Sequence, residues 1–271
     1  MSAAFREIAP AKLNLALHVR GKLPDGRHAI ETVFAFCIDG DRLTFESLGE
    51  ELPGTAMIET SGEFKVGPHN LVMTAWHAIK AEAKLHVGAR FALEKNLPVA
   101  AGLGGGSADA AAALRLVTSA FSLDPAIAER VAPALGSDVP ACLLSLPMRG
   151  EGAGDQLTPI ELKDVSGTPV LLVNPRVSLS TAEVFARWDG EDRGPLGDWR
   201  EGRNDLEAPA IALVPQIEAV LAWLGTRPGA TLVRMSGSGA TCFALFDDEA
   251  ACDAAAHSVP REWWYLATFL R

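Results

Sequence analysis

The run Pro98-Val99-Ala100-Ala101-Gly102-Leu103-Gly104-Gly105-Gly106-Ser107-Ala108 sets four glycines and a serine directly ahead of an alanine-rich stretch. Glycines leave backbone N–H groups unobstructed, and a helix starting there adds unpaired donors and the positive end of its dipole. The chemistry this suits is the holding of an anion, above all a phosphate. Close packing of backbone before a helix is the plainer reading of the same glycines, and the spacing alone leaves both open. A P-loop is excluded, because Gly106 is followed by Ser107-Ala108 and not by Lys and then Ser or Thr. The dinucleotide pattern G-x-G-x-x-G/A is met at Gly102 and Gly104 but ends on Ser107, so an oxidoreductase stays a rival. A nucleophile elbow fails, since Ser107 lacks a glycine two residues away on each side. Ser107 is then expected to face a phosphate or its metal.

Phosphoryl transfer also needs a carboxylate to orient the attacking hydroxyl and a cation to offset charge. Asp138, in Gly136-Ser137-Asp138-Val139-Pro140, lies in a short polar turn between apolar stretches, a setting that exposes an acid beside a core or simply caps a helix. Lys12 is the lone charge between Ala11 and Leu17, where taken alone a solvated lysine is the plain reading.

The elements that must carry these residues follow from periodicity. Leu13, Leu15, Leu17 and Val19 alternate with polar or small residues as in a half-buried strand, and Thr32–Ile38 and Arg42–Glu46 read as two more. Leu71, Val72, Ala75, Trp76 and Ile79 recur at helical spacing behind Asn70, a good N-cap. Val87 to Leu93 is a strand, the glycine loop follows, and Ala108 to Ser119 has high helix propensity. After the glycines near 150–155 the pattern restarts with a strand at Val170–Asn174. Helices are expected at Thr181–Trp188, from Asn204, at Val214–Leu224 and at Glu249–His257, with strands at Thr231–Met235, Cys242–Phe246 and Trp263–Phe269. The class is α+β, with one domain over 1–155 and a second over 156–271.

A net charge of -10 over 271 residues argues against a nucleic-acid or anionic-membrane partner, so an anionic ligand needs a local site. No apolar run has transmembrane length, and the N-terminal residues, broken by Arg6, Glu7 and Lys12, do not form a signal peptide's apolar segment. The four scattered cysteines form no C-x-x-C pair, which fits reduced thiols and a cytoplasmic location. Histidine spacing suggests no dedicated transition-metal site.

Five elements occur in order: Pro10-Ala11-Lys12-Leu13-Asn14-Leu15, Asp25-Gly26-x-His28, Pro98 to Ala108, Gly136-Ser137-Asp138-Val139-Pro140 and Gly237-Ser238-Gly239. Together they resemble the GHMP kinase family over nearly the whole chain. Within it they are most similar to the branch acting on 4-diphosphocytidyl-2-C-methyl-D-erythritol in non-mevalonate isoprenoid biosynthesis. The resemblance implies an N-terminal nucleotide domain like domain 2 of ribosomal protein S5 and a C-terminal ferredoxin-like domain. It implies ATP as co-substrate with Mg2+, Asp138 as catalytic carboxylate with Lys12 beside it, and Pro98 to Ala108, Asn70 and Lys95 toward the nucleotide. Asn14, His28, Thr181 and Phe185 match positions lining the acceptor site, His28 being suited to the cytosine ring, while Phe185 reads equally well as a core residue of its helix. The family often has a tyrosine where this chain has Arg27, whose guanidinium also stacks on planar bases. It commonly has a glutamate where this chain has Asp155, to which no role attaches. Metal ligands and oligomeric state do not follow from the resemblance. Kinases of the same family acting on mevalonate, homoserine or a sugar are the nearest alternatives. An inactive nucleotide-binding module is another.

Overall fold

Two long strands organise the chain, β1 (Phe5–Lys22) and β2 (His28–Gly49), which pair with each other. The computed structural model describes residues 4–67, 70–162 and 165–271. Its contacts divide the protein into two compact units: one holds the chain up to Ala11 with Asp39–Val99 and Gly104–Ser145, the other Lys12–Ile38, Ala100–Leu103 and Leu146–Arg271. These units interleave along the chain, because β1 and β2 each run through both. The two strands expected at Thr32–Ile38 and Arg42–Glu46 are parts of β2. Gly40 lets β2 continue between them, since a Cβ there would be driven into the Ala9 carbonyl oxygen.

In the first unit, β3 (Ala56–Gly62) pairs parallel with β4 (Gly88–Lys95), and β4 pairs antiparallel with the second half of β2, Phe45 facing Phe91. Helix α1 (Leu71–Glu82) begins at Asn70, whose side chain accepts the Val72 N–H, and buries Val72, Ala75, Trp76 and Ile79 as its spacing predicts. Phe45, Trp76 and Phe91 form an aromatic core with ring centroids 5.1–6.1 Å apart. Helix α2 (Gly105–Ala120) packs against α1, α3 (Pro125–Leu135) and α4 (Val139–Leu144). Surrounded in this way, it is buried at nearly every position from Ala108 to Val117, and alanine allows the close approach.

In the second unit, β5 (Met148–Glu151) pairs with the first half of β2 and makes a hairpin with β6 (Gln156–Pro159). There follow β7 (Pro169–Asn174), α5 (Thr181–Ala186), α6 (Glu207–Leu213), α7 (Gln216–Gly225), β8 (Ala230–Met235), β9 (Cys242–Phe246), α8 (Glu249–His257) and β10 (Trp264–Phe269). The sheet runs β10-β7-β9-β8 with antiparallel neighbours, and α7 and α8 pack against it. This is the split βαβ order of a ferredoxin-like fold. Every residue of β7 and β9 is buried, in line with their unbroken apolar character.

Candidate active site

Helix α2 starts three residues before the expected Ala108. Its N-cap is Gly104, in a left-handed conformation (φ 61°), and no side chain caps the first turn. The N–H groups of Gly105, Gly106 and Ser107 are thus left to an external acceptor at the positive end of a 16-residue helix. Pro98 and Val99 lead toward this turn, and Val99 is exposed. Asn70 caps α1 through Oδ1, while its buried Nδ2 has no hydrogen-bond partner. Asp138 occupies the N-cap position of α4 but makes no capping bond, which disfavours the helix-cap reading of that residue.

Lys95 is buried, only 2% exposed, with its ammonium between Asp41 and Asp109. Burial works against the Lys95 cation, yet the Asp109 and Asp41 charges outweigh it and raise its pKa. Burial pushes Asp109 up to about 7 despite Lys95, because one ammonium serves two carboxylates and Asp109 Oδ1 has no partner. Two of the three Lys95 ammonium protons are thereby engaged by the Asp41 and Asp109 carboxylates.

In the second unit, Lys12 is 4% exposed and donates from Nζ to Asn14 Oδ1 at 2.8 Å, lying over the Phe34 ring. Burial sets aside the solvated-lysine reading. Asn14 Nδ2 donates to Thr32 Oγ1 at 2.8 Å, and Thr32 to the Ala16 carbonyl. Ser236 joins this strand to the middle of the glycine loop: its hydroxyl accepts the Asn14 N–H at 3.2 Å and donates to the Gly102 carbonyl at 2.9 Å. The Lys12 N–H meets the Leu103 carbonyl, and the Ala101 carbonyl accepts the Thr241 N–H. Ala100 carries a positive φ, the local strain of a tight turn. Gly102 (φ 78°) sits so close to Ser236 and Gly239 that a Cβ would meet the Ser236 carbonyl oxygen.

His28 stacks on Phe185, while Trp188 meets it edge-on at 5.6 Å. Burial, with the Lys22 charge, holds His28 below the usual histidine range. Thr181 Oγ1 is 2.8 Å from Ser238 Oγ, in the Gly237-Ser238-Gly239 turn. The Arg27 guanidinium is bound along its edge by Asp25 at 2.8 Å and Asp155 at 2.9 Å, an arrangement that leaves its faces available for stacking. Asp155, without a role on sequence grounds, is its partner. Sequence reasoning missed Thr32, Ser236, Trp188, Asp41 and Asp109; only Ser236 carried a signal, standing next to the Gly237-Ser238-Gly239 motif.

Residues 70–145 match the model of the GHMP kinases N terminal domain, and residues 184–266 the model named GHMP kinases C terminal. The chain belongs to the GHMP kinase family. A relative from Rhizorhabdus wittichii named 4-diphosphocytidyl-2-C-methyl-D-erythritol kinase is 50% identical over 98% of this chain and 94% of its own. One of the same name from Novosphingobium aromaticivorans is 49% identical over 99% and 93%. A crystal structure of 4-(cytidine 5'-diphospho)-2C-methyl-D-erythritol kinase superposes with a TM-score of 0.84 at 30% identity, covering 98% of this chain and 99% of the other. Homoserine kinase from Cytophaga hutchinsonii shares the fold at 15% identity with a TM-score of 0.71, covering 100% and 96%.

Proposed function

We propose that the chain transfers the γ-phosphoryl group of ATP to the 2-hydroxyl of 4-diphosphocytidyl-2-C-methyl-D-erythritol, giving the 2-phosphate and ADP in non-mevalonate isoprenoid precursor biosynthesis. The observation that carries this is the 50% identity over 98% of the chain to an enzyme of that name. Likeness to homoserine and mevalonate kinases stops at 16% identity or below and speaks for the fold alone.

The first turn of α2 and the loop from Pro98 hold the triphosphate through backbone donors, with Asn70 toward the nucleoside. Magnesium, when bound with the triphosphate, would supply charge neutralisation there, with Ser107 at the start of α2 as the side chain that would face it. Among the described residues no three His, Cys, Asp or Glu side chains are grouped to hold a metal ion. Asp138 orients the acceptor hydroxyl and takes its proton as the oxygen–phosphorus bond forms and the bond to ADP breaks. Lys12, steadied by Asn14, offsets charge on the transferring group. His28, Phe185 and Thr181 hold the cytidylyl acceptor. The reaction is assigned to the cytoplasm, without nucleic-acid or membrane partners. Four buried cysteines that form no disulfide support that assignment, and among the described residues no helix is long and apolar enough to cross a membrane.

The test is ADP release by the purified protein with MgATP and each of three acceptors: the cytidylyl-methylerythritol, mevalonate and homoserine. Turnover with the first alone is expected. Equal or greater turnover with either of the others would overturn the assignment.

A further inference from the structure

The cluster beneath the first turn of α2 ties together the segments that frame it. Lys95, the last residue of β4, donates to Asp41 on β2 and, at 2.7 Å, to Asp109 on α2. Asp41 turns its other oxygen to the N–H groups of Asn96 and Leu97, at 2.6 and 2.8 Å, the residues that lead from β4 to Pro98. A Cβ on Gly105 would lie 3.0 Å from the Lys95 ammonium and 3.5 Å from the Asp41 carboxylate, so the cluster abuts the floor of the turn itself. All three residues are at most 2% exposed. As a source of stability this is poor design, since burying three charges incurs a desolvation penalty that well-packed apolar residues avoid. As a source of geometry it is strong. Charge-assisted bonds fix two strand ends, the loop approach and the helix start in one arrangement.

We propose that Asp41, Lys95 and Asp109 are positioning residues for the nucleoside triphosphate, anchoring residues 96–97 through their N–H groups and fixing the first turn of α2 so that the backbone donors of Gly105, Gly106 and Ser107 converge on the phosphates. This rests on the reading of the loop as the nucleotide site.

Asp109→Ala cuts the tie between α2 and β4, whereas Asp109→Asn keeps an oxygen that accepts from Lys95. With Asp109→Ala the KM for MgATP and the Kd for a non-hydrolysable ATP analogue are expected to rise about tenfold, with the acceptor KM within about twofold. Asp109→Asn restores most of the ATP affinity. Should Asp109→Ala not fold, Asp41→Asn carries the same test, because its amide keeps an acceptor for Asn96 and Leu97 while opposing the Lys95 donor. A folded variant that loses thermal stability with unchanged ATP affinity overturns the proposal, as does an equal loss in both KM values. A wild-type protein that fails to bind the analogue overturns the nucleotide reading instead.

Discussion

His28 and Phe185 stack with ring centroids 4.8 Å apart and planes 29° from parallel. A base sandwiched between two rings needs about twice a van der Waals stacking distance, roughly 7 Å. The pair as it stands therefore has no slot between its rings, and on the proposed reading a pyrimidine lies beside the stacked pair and not between its rings. Base stacking on an aromatic side chain is worth about 1–3 kcal/mol. Phe185→Ala is expected to raise the acceptor KM roughly tenfold while leaving the KM for MgATP unchanged, read from steady-state kinetics with each substrate varied. An unchanged acceptor KM would remove Phe185 from the acceptor site.

The same pair sets a pH dependence. His28 titrates below its ordinary 6.5, first because burial disfavours the imidazolium and then because Lys22 adds like charge. Its neutral form, a donor at one ring nitrogen and an acceptor at the other, therefore prevails through the neutral range. As the pH falls through the lowered value the ring gains a proton, loses its acceptor and ceases to match a neutral pyrimidine edge. The acceptor KM should be flat from neutral pH upward and climb on the acid side, and His28→Asn should flatten the climb. A climb that persists in His28→Asn belongs to another group.

On the proposed mechanism Asp138 and Lys12 carry different parts of the chemistry, and kinetics separates them. Asp138→Asn keeps the shape of the side chain but takes no proton, so kcat is expected to fall by about 100-fold or more with both KM values nearly unchanged. Lys12→Met removes a charge and leaves Asn14 Oδ1 without the donor it has at 2.8 Å. It should lower kcat to a similar extent and also loosen the acceptor, because Asn14 is freed to turn. Wild-type turnover by Asp138→Asn would refute the catalytic assignment.

Legibility in the sequence followed the range of the interaction. Helix α1 could be read because Val72, Ala75, Trp76 and Ile79 repeat within a dozen residues, and the glycine loop because its chemistry is contiguous. The ferredoxin-like order was implied by the family resemblance, while periodicity alone placed its short apolar strands and the helices between them. What escaped was non-local. Buried charges look like surface charges in a sequence, and Asp41 stands 54 residues from Lys95. Arg27 reaches Asp155 across 128 residues. The interleaving of the two units was hidden because one glycine, Gly40, lets two apparent strands run on as one. The glycine-rich helix start with its uncapped backbone donors was readable, whereas the charge cluster beneath it was not.

The glycines of the loop differ in what they are for, and alanine at two of them tells the roles apart. Gly102 holds a φ of 78° and faces backbone atoms of Ser236 and Gly239, which cannot move aside as a flexible side-chain tip would. Gly102→Ala combines left-handed strain, about 1–3 kcal/mol, with a backbone clash, and should lower the melting temperature clearly. Gly106 lies in the first turn of α2 and carries no positive φ; a Cβ added there would have the Leu71 Cδ1 atom as its nearest neighbour, at 3.5 Å. The fold has room for a methyl group at this position, and alanine in a helix is favoured over glycine by about 0.5–1 kcal/mol. Gly106→Ala should therefore hold or raise the melting temperature. If phosphates lie against that turn, the new methyl group stands where they approach, and the KM for MgATP should rise several-fold in a protein at least as stable as the wild type. A more stable Gly106→Ala protein with unaltered ATP kinetics would mean that this glycine serves helix packing, and that the triphosphate is held elsewhere along the loop.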